Sequence, residues 1–186
     1  MVDGRVRGEA PLLWVVLLTV ASLLTTLVFA CATPFPSLAA LAAVHMTRRD
    51  GLALITAAWV VSQATGFCVM GYPWDVATAL NGIAIGTGAL ASLLAASLAD
   101  DRVAMRSTAG QLVIAYLTAF VGFKVGVALW APVMAHAGAG FTPTVLVRQF
   151  LRYAAVLAGL HGLFRLLLAA GVPAPMVTAR RRSATA

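Results

Sequence analysis

Six apolar segments, separated by short polar or proline-containing breaks, follow one another along the chain. A helix needs about 20 apolar residues to cross the hydrocarbon core of a bilayer, and five of the six segments reach that length. Their runs of Leu, Ala and Val lack the strict two-residue alternation of barrel strands, which predicts an all-α chain. The predicted spans cover about residues 12–32, 35–46, 51–72, 76–99, 109–135 and 145–172.

Basic residues alternate from one break to the next. Nine of the 13 lie in the two tails and in the second-to-third and fourth-to-fifth connections, whereas connections 33–35, 73–75 and 136–144 hold none. Because cytoplasmic loops carry an excess of Lys and Arg, both chain ends are predicted to lie inside (N-in, C-in). This parity requires the 12-residue second segment to cross, although its length also fits a re-entrant or tilted half-span. The nine are Arg5, Arg7, Arg48, Arg49, Arg102, Arg106, Arg180, Arg181 and Arg182.

The composition indicates the same class of protein. The chain is 61% hydrophobic and 10% charged, with a mean hydropathy of +0.94, whereas soluble domains are about 25% charged. A water-soluble globule is therefore excluded. The net charge of +7 is a topological signal, since the bases do not form one face, and no nucleic-acid partner is expected. We expect residues 1–186 to form one six-helix, polytopic membrane bundle with the lipid bilayer around it.

The first segment has an alternative interpretation. Arg5, Arg7, an apolar run and Ala30-Cys31-Ala32 also occur in cleaved signal peptides and in lipoprotein signals that end at a cysteine. The run before Cys31 exceeds the 7–15 residues of a signal peptide core, which favours a retained helix.

Polar and reactive side chains gather near the predicted outer face. With odd-numbered helices running outward, this face receives Cys68, Tyr72, Trp74, Asp75 and Asn81, and Gln63 lies somewhat deeper. Such a group is typical of an outward-facing ligand pocket. An aromatic belt at the membrane interface is the other interpretation, above all for Trp74.

Cys31 and Cys68 end two outward-running helices. They could form a disulfide in an oxidising compartment, ligate a soft metal, or be small buried hydrophobes. Cys68 is the stronger ligand candidate because Gln63, Tyr72 and Asp75 are near it in sequence. Neither cysteine has a C-x-x-C partner or a histidine one turn away, so a structural zinc site is not expected.

The last segment carries two polar stripes. His161 and Arg165 lie one turn apart on one face, while Arg148 and Arg152 lie on the opposite face. Ionisable residues within a membrane are functional candidates, so His161 and Arg165 are possible gate or partner contacts. Snorkelling is the alternative for Arg148 and for Lys124 in the fifth segment. The spans hold no acidic partner, which argues against a carboxylate proton relay.

Glycine patterns in the fourth and fifth segments predict close helix packing. They are Gly82-x-x-x-Gly86-x-Gly88 and Gly122-x-x-x-Gly126. The chain has no G-x-x-x-x-G-K-[ST], H-E-x-x-H or G-x-S-x-G motif, so neither an enzymatic activity nor an intrinsic cofactor is predicted.

The sequence resembles a family of vitamin-binding membrane proteins. The residues that carry the resemblance are the run at 34–43 (Pro-Phe-Pro-Ser-Leu-Ala-Ala-Leu-Ala-Ala) and the Arg48-Arg49-Asp50-Gly51 turn with the Leu-Ala-Leu-Ile that follows. With six short-looped helices and both ends inside, it resembles the S components of energy-coupling-factor (ECF) transporters, and among them the solitary, proteobacterial type that takes up cobalamin.

The resemblance implies uptake of a corrinoid across the bacterial inner membrane. It also implies that Cys68 ligates the cobalt of the transported cobalamin, with Tyr72, Trp74 and Phe67 packed against the corrin. The implied partners are an ECF coupling subunit and its ATPases, or none. S components contact that subunit through Ala-x-x-x-Ala faces, and the nearest such pairs here are Ala39 with Ala43 and Ala53 with Ala57. The alternative function is an accessory structural subunit of a larger membrane complex, attached through the glycine faces and the last helix.

Overall fold

The computed structural model describes residues 3–29, 33–102, 107–133 and 140–175. Within these ranges the chain forms six α-helices and a short 3₁₀ turn, with no strand, which confirms the predicted all-α class. The helices are α1 (Asp3–Phe29), α2 (Phe35–His45), α3 (Arg48–Cys68), α4 (Val76–Arg102), α5 (Thr108–Ala128) and α6 (Pro143–Ala169), and the 3₁₀ turn is Ala131–Val133.

Four helical stretches are long and apolar enough to cross a membrane. Only 22% to 39% of the residues in their most apolar windows are buried within the protein, so their apolar side chains face outward. Lipid is the environment that makes such a surface favourable, which supports a multi-pass membrane protein. The four stretches are Arg48–Cys68, Val76–Arg102, Thr108–Val133 and Pro143–Ala169, and the shorter apolar helices are Pro11–Leu24 and Phe35–His45.

Three helix ends differ from the sequence prediction by more than three residues, and one of them is the end of α5, which lies at Ala128 and not at about residue 135. Helix α1 begins at Asp3 and continues through Pro11. The sequence prediction began later because the hydrophobic pattern locates the bilayer and not the point where the backbone becomes helical. Helix α3 ends at Cys68, four residues early, because two following N–H groups bond to the Thr65 carbonyl and Gly71 adopts a φ of 67°. Glycine takes this left-handed conformation without steric cost.

Side-chain caps explain where α3 and α5 begin. Thr47 Oγ1 accepts a hydrogen bond from Asp50 N at 3.2 Å, and Ser107 Oγ accepts one from Gly110 N at 3.1 Å. Each cap satisfies an N–H group that has no partner inside its own helix.

Helix α2 lies at the centre of the bundle. Ten of its 11 residues are buried, and it packs against α3, α4, α5 and α6. Phe35 stacks on Phe123 of α5 at a centroid distance of 6.1 Å, and Ser37 Oγ donates to the Tyr153 carbonyl of α6 at 2.7 Å. The helix is about 16 Å long, about half of the hydrocarbon thickness, and the longer helices around it shield it from lipid.

Contacts between helices show that they alternate in direction. Arg48 at the start of α3 forms an ion pair with Asp101 at the end of α4. His45 at the end of α2 stacks on Phe164 in the last third of α6, at 4.3 Å. Trp14 Nε1, in the first half of α1, donates to the Pro173 carbonyl beyond α6 at 2.8 Å.

These contacts lie at what we call the arginine end, marked by Arg48, Arg49 and Arg102. The α3–α4 and α5–α6 connections lie at the other end, which we call the opposite end. Helix α2 points toward the arginine end, where His45 lies, and its 11 residues cover about half of the hydrocarbon thickness.

The predicted glycine packing is confirmed between α4 and α5. A Cβ atom added at Gly126 would lie 2.7 Å from Cα of Gly88, and one added at Gly122 would lie 2.7 Å from the Ala91 carbonyl oxygen. Real Cβ atoms do not approach so closely, so only glycine allows this helix spacing. The glycine faces are therefore occupied within the bundle and are not free for another subunit.

Candidate functional site

The predicted outer-face residues cluster around the end of α3 and the start of α4. Cys68 is the last residue of α3, and Tyr72 and Trp74 lie in the connection that follows it. Asp75 precedes α4, and Asn81 lies in its second turn and is exposed. The structure therefore brings these residues to the opposite end of the bundle.

An aromatic cluster forms where the α3–α4 connection folds back on α3. The Phe67 ring lies 4.5 Å from the Trp74 ring and 6.4 Å, edge on, from the Tyr72 ring. The Tyr72 ring lies over Gly66, where an added Cβ would come within 2.7 Å of it. Tyr72 and Trp74 remain 46% and 83% exposed, so the cluster offers apolar ring surface to a ligand.

Gln63 and Trp59 lie on the face of α3 that packs against α4. The Gln63 side chain lies over Gly82, where an added Cβ would be 2.5 Å from Oε1. One turn earlier, Trp59 Nε1 donates to the Gly82 carbonyl at 2.9 Å, and its ring lies over Gly86. Trp59 was not singled out from the sequence, although its spacing of four residues from Gln63 and eight from Phe67 was the available signal.

Cys68 is a free, exposed thiol. It is therefore neither disulfide-bonded nor a buried hydrophobe, two of the three alternatives drawn from the sequence. Cys31 lies outside the described residues. At about 100° per residue, Cys68 projects about 140° away from Gln63 around the helix, so α3 does not place the thiol and the amide on one face.

Asp75 acts locally as the cap of α4. Its Oδ1 accepts a hydrogen bond from Thr78 N at 2.7 Å. Hydrogen bonding from the Thr78 backbone and side chain lowers the pKa of the Asp75 carboxyl below its ordinary value of 3.8. The group is a stable anion at neutral pH, with one oxygen engaged by the helix.

His161 and Arg165 face different surroundings. The His161 ring stacks on the His45 ring at 5.6 Å with an interplanar angle of 14°, whereas Arg165 is exposed. The i and i+4 spacing places both residues on one side of α6, but His161 lies at the edge of the protein core and Arg165 lies outside it. His45 was not singled out from the sequence, because only the packing of α2 against α6 brings the two imidazoles together.

Lys124 is held by neutral partners near the opposite end. Its Nζ donates to the Gly140 carbonyl at 3.1 Å and to Oε1 of Gln149. It also lies over the rings of Phe120 and Phe141, at 5.9 and 5.2 Å from their centroids. The side chain thus reaches toward its own end of the helix, which agrees with snorkelling.

In the part of the chain that the structure describes, no three His, Cys, Asp or Glu side chains group as a metal site. Cys68 is an accessible thiol that can supply one donor to a metal-containing ligand. No protein-family model, curated protein or solved structure matches this chain.

Proposed function

We propose that the protein binds and takes up a vitamin, a corrinoid, from the outer side of the bacterial inner membrane. The observation that carries the proposal is that the accessible Cys68 thiol ends the same helix as Phe67, next along the chain to the cluster whose Tyr72 and Trp74 rings are exposed. This group lies at the end away from Arg48, Arg49 and Arg102. By the positive-inside rule, that end faces out of the cytoplasm.

The chemistry of these side chains suits a corrinoid. A thiolate is a soft donor and can occupy an axial position of cobalt, which the macrocycle otherwise surrounds. The exposed rings of Tyr72 and Trp74 supply flat apolar surface for the macrocycle. Asn81 supplies an amide group for its polar substituents from an exposed position, and half-buried Gln63, which lies over Gly82, supplies a second one deeper in the bundle.

Uptake without an ECF coupling subunit is favoured over uptake with one. Ala39, in the first Ala-x-x-x-Ala pair, is fully buried within α2. The bundle itself therefore occupies the face that the resemblance assigns to a coupling subunit. Ala53, in the second pair, is exposed. A coupling subunit that docks there would co-purify with the protein without crosslinking.

The test is a spectroscopic titration of the purified protein with hydroxocobalamin. Coordination by the thiol exchanges the cobalt-bound water or hydroxide for sulfur, with loss of the thiol proton, and changes the visible spectrum. Wild type and Cys31→Ser should give the same saturable change, and Cys68→Ser should not. Equal titration curves for wild type and Cys68→Ala would remove the cysteine mechanism.

A structural accessory subunit is the second candidate. It is favoured by α6, of which only Tyr153, Leu157, Leu160 and Phe164 are buried among 27 residues. Co-purification with one membrane complex at fixed stoichiometry, with no corrinoid bound, would support this function instead.

A further inference from the structure

Helix α6 contains two glycines that close packing does not require. Gly159 and Gly162 are exposed, and a Cβ atom added at either would meet nothing within 4 Å in the part of the chain that the structure describes. Gly88 of α4 and Gly126 of α5, in contrast, pack against each other. Glycine is the poorest helix former apart from proline, so α6 is intrinsically weakest at this point along its length.

The two glycines lie on the outward face of α6. Residues at i and i+3 share a helix face, and the buried residues Leu157, Leu160 and Phe164 lie on the opposite face. A bend that moves the start of α6 away from the bundle crowds the side chains on the outward face. Glycine has no Cβ atom to crowd, and sharp bends in helices occur at such residues.

After the glycines, α6 is fixed by ring contacts at the arginine end. The Phe164 ring lies 4.3 Å from the His45 ring and 4.6 Å from the Trp14 ring. His161, which lies between the two glycines, also stacks on His45. These contacts hold the last part of α6 against α1 and α2.

Before the glycines, α6 is held to α5 by long side chains. We call residues 143–158 the arm. The backbones of the arm and of α5 hardly approach one another, whereas α4 and α5 pack along their length. Tyr116 Oη donates to the Phe150 carbonyl, and Lys124 Nζ donates to Oε1 of Gln149. The arm is therefore attached to α5 mainly by a few side-chain contacts.

Separation of the arm from α5 breaks few strong interactions. Apolar surfaces that separate exchange a protein neighbour for a lipid tail, which is equally apolar, so the hydrophobic effect does not hold helices together in a bilayer. The hydrogen bonds are then the main resistance, and the bond from the Lys124 ammonium is the strongest because its donor is charged. The bond from Ser37 Oγ to the Tyr153 carbonyl is a further one that the movement breaks.

We propose that α6 bends at Gly159 and Gly162, so that the arm moves away from α5 and opens the bundle sideways near the opposite end. The bonds from Lys124 and Tyr116 hold the arm in the closed position. A bend of about 20° moves Val147, about 18 Å from Gly159 along the helix, by about 6 Å. The inference is independent of the corrinoid proposal, and its test uses no ligand.

The experiment measures the distance between nitroxide labels on α5 and on the arm by double electron–electron resonance, with the protein in lipid nanodiscs. The labels are attached at Val125→Cys and Val147→Cys, two exposed positions, in a Cys31→Ser/Cys68→Ser background. Wild type should give one main distance and a minor one up to about 6 Å longer.

The variants change the two distances in opposite directions. Lys124→Met removes the charged donor and should raise the ratio of the longer to the shorter distance about tenfold. Tyr116→Phe removes only the hydroxyl and should raise this ratio less, and it serves in place of Lys124→Met if circular dichroism shows that the latter has lost helix content. Gly159→Ala/Gly162→Ala adds methyl groups in open space and should abolish the longer distance.

The matched control for Lys124→Met is Thr118→Ala, because Thr118 bonds only within α5; it should leave the ratio unchanged. Labels at Val113→Cys and Leu166→Cys, both exposed and toward the arginine end, should give one distance in every variant.

Three results would overturn the proposal. The first is one distance distribution shared by wild type, Lys124→Met and Tyr116→Phe. The second is a longer distance that persists in Gly159→Ala/Gly162→Ala. The third is a second distance for the labels at the arginine end, which would show a general loosening of the bundle and not a bend in α6.

Discussion

A single methyl group at Gly126 is expected to separate α4 from α5. In Gly126→Ala the new Cβ would lie 2.7 Å from Cα of Gly88 and 3.0 Å from Cβ of Ala91. Carbon atoms pack best at about 3.5–4.0 Å, so the helices must separate by about 0.8 Å, and a gap of that size forfeits about a quarter to a half of each facing contact. Overpacking of this kind costs about 1–3 kcal/mol.

The assay is thermal unfolding in detergent, followed by far-UV circular dichroism. For a domain of this size, a loss of about 2 kcal/mol lowers the Tm by about 4–8 °C. Gly162→Ala is the matched control, because an added Cβ there meets nothing within 4 Å. It should leave stability unchanged or raise it by up to about 1 kcal/mol through helix propensity. Equal melting temperatures for the two variants would refute the close packing of α4 on α5.

Two further predictions concern α2 and α4. Ser37→Ala removes the hydrogen bond from Ser37 Oγ to the Tyr153 carbonyl and should cost about 1 kcal/mol of unfolding free energy. The control Thr118→Ala loses bonds only within its own helix and should lower the melting temperature less. A larger effect of Thr118→Ala than of Ser37→Ala would count against the docking of α2 on α6. The pKa of Asp75 is lowered by its bonds from Thr78, so its contribution to stability is present above its ordinary pKa of 3.8 and is lost as the pH falls through the lower folded value. Asp75→Asn keeps a capping oxygen and should melt with a weaker acid dependence in this range, and an unchanged acid dependence would contradict the role of the carboxylate.

The membrane-spanning helices were predictable because a bilayer imposes a long apolar run that few other structures require. The glycine contacts were predictable for a similar reason, since small residues four apart permit close helix approach. The start of α1 was not, because Asp3 to Pro11 is helical outside the apolar run, where hydropathy carries no signal.

The interior of the candidate site was less predictable. Hydropathy describes α2 as a short apolar segment, and the same pattern fits a lipid-facing half-span or a central helix. Whether Trp59 lies over Gly86, or His45 stacks on His161, depends on how helices rotate against each other, which one sequence does not specify. The outer group was found because it is contiguous along the chain from Gln63 to Asn81. Cys68 and Gln63 are close in sequence, but five residues along a helix place their side chains about 140° apart around α3.

The proposed outward-facing corrinoid site is tested most directly by labelling Cys68 in spheroplasts with a membrane-impermeant maleimide, in a Cys31→Ser background where it is the sole thiol. We predict labelling without permeabilisation, and protection by hydroxocobalamin but not by a cobalt-free porphyrin at the same concentration. Labelling that requires permeabilisation would contradict the orientation. Labelling that proceeds at the same rate with and without hydroxocobalamin would contradict the binding site.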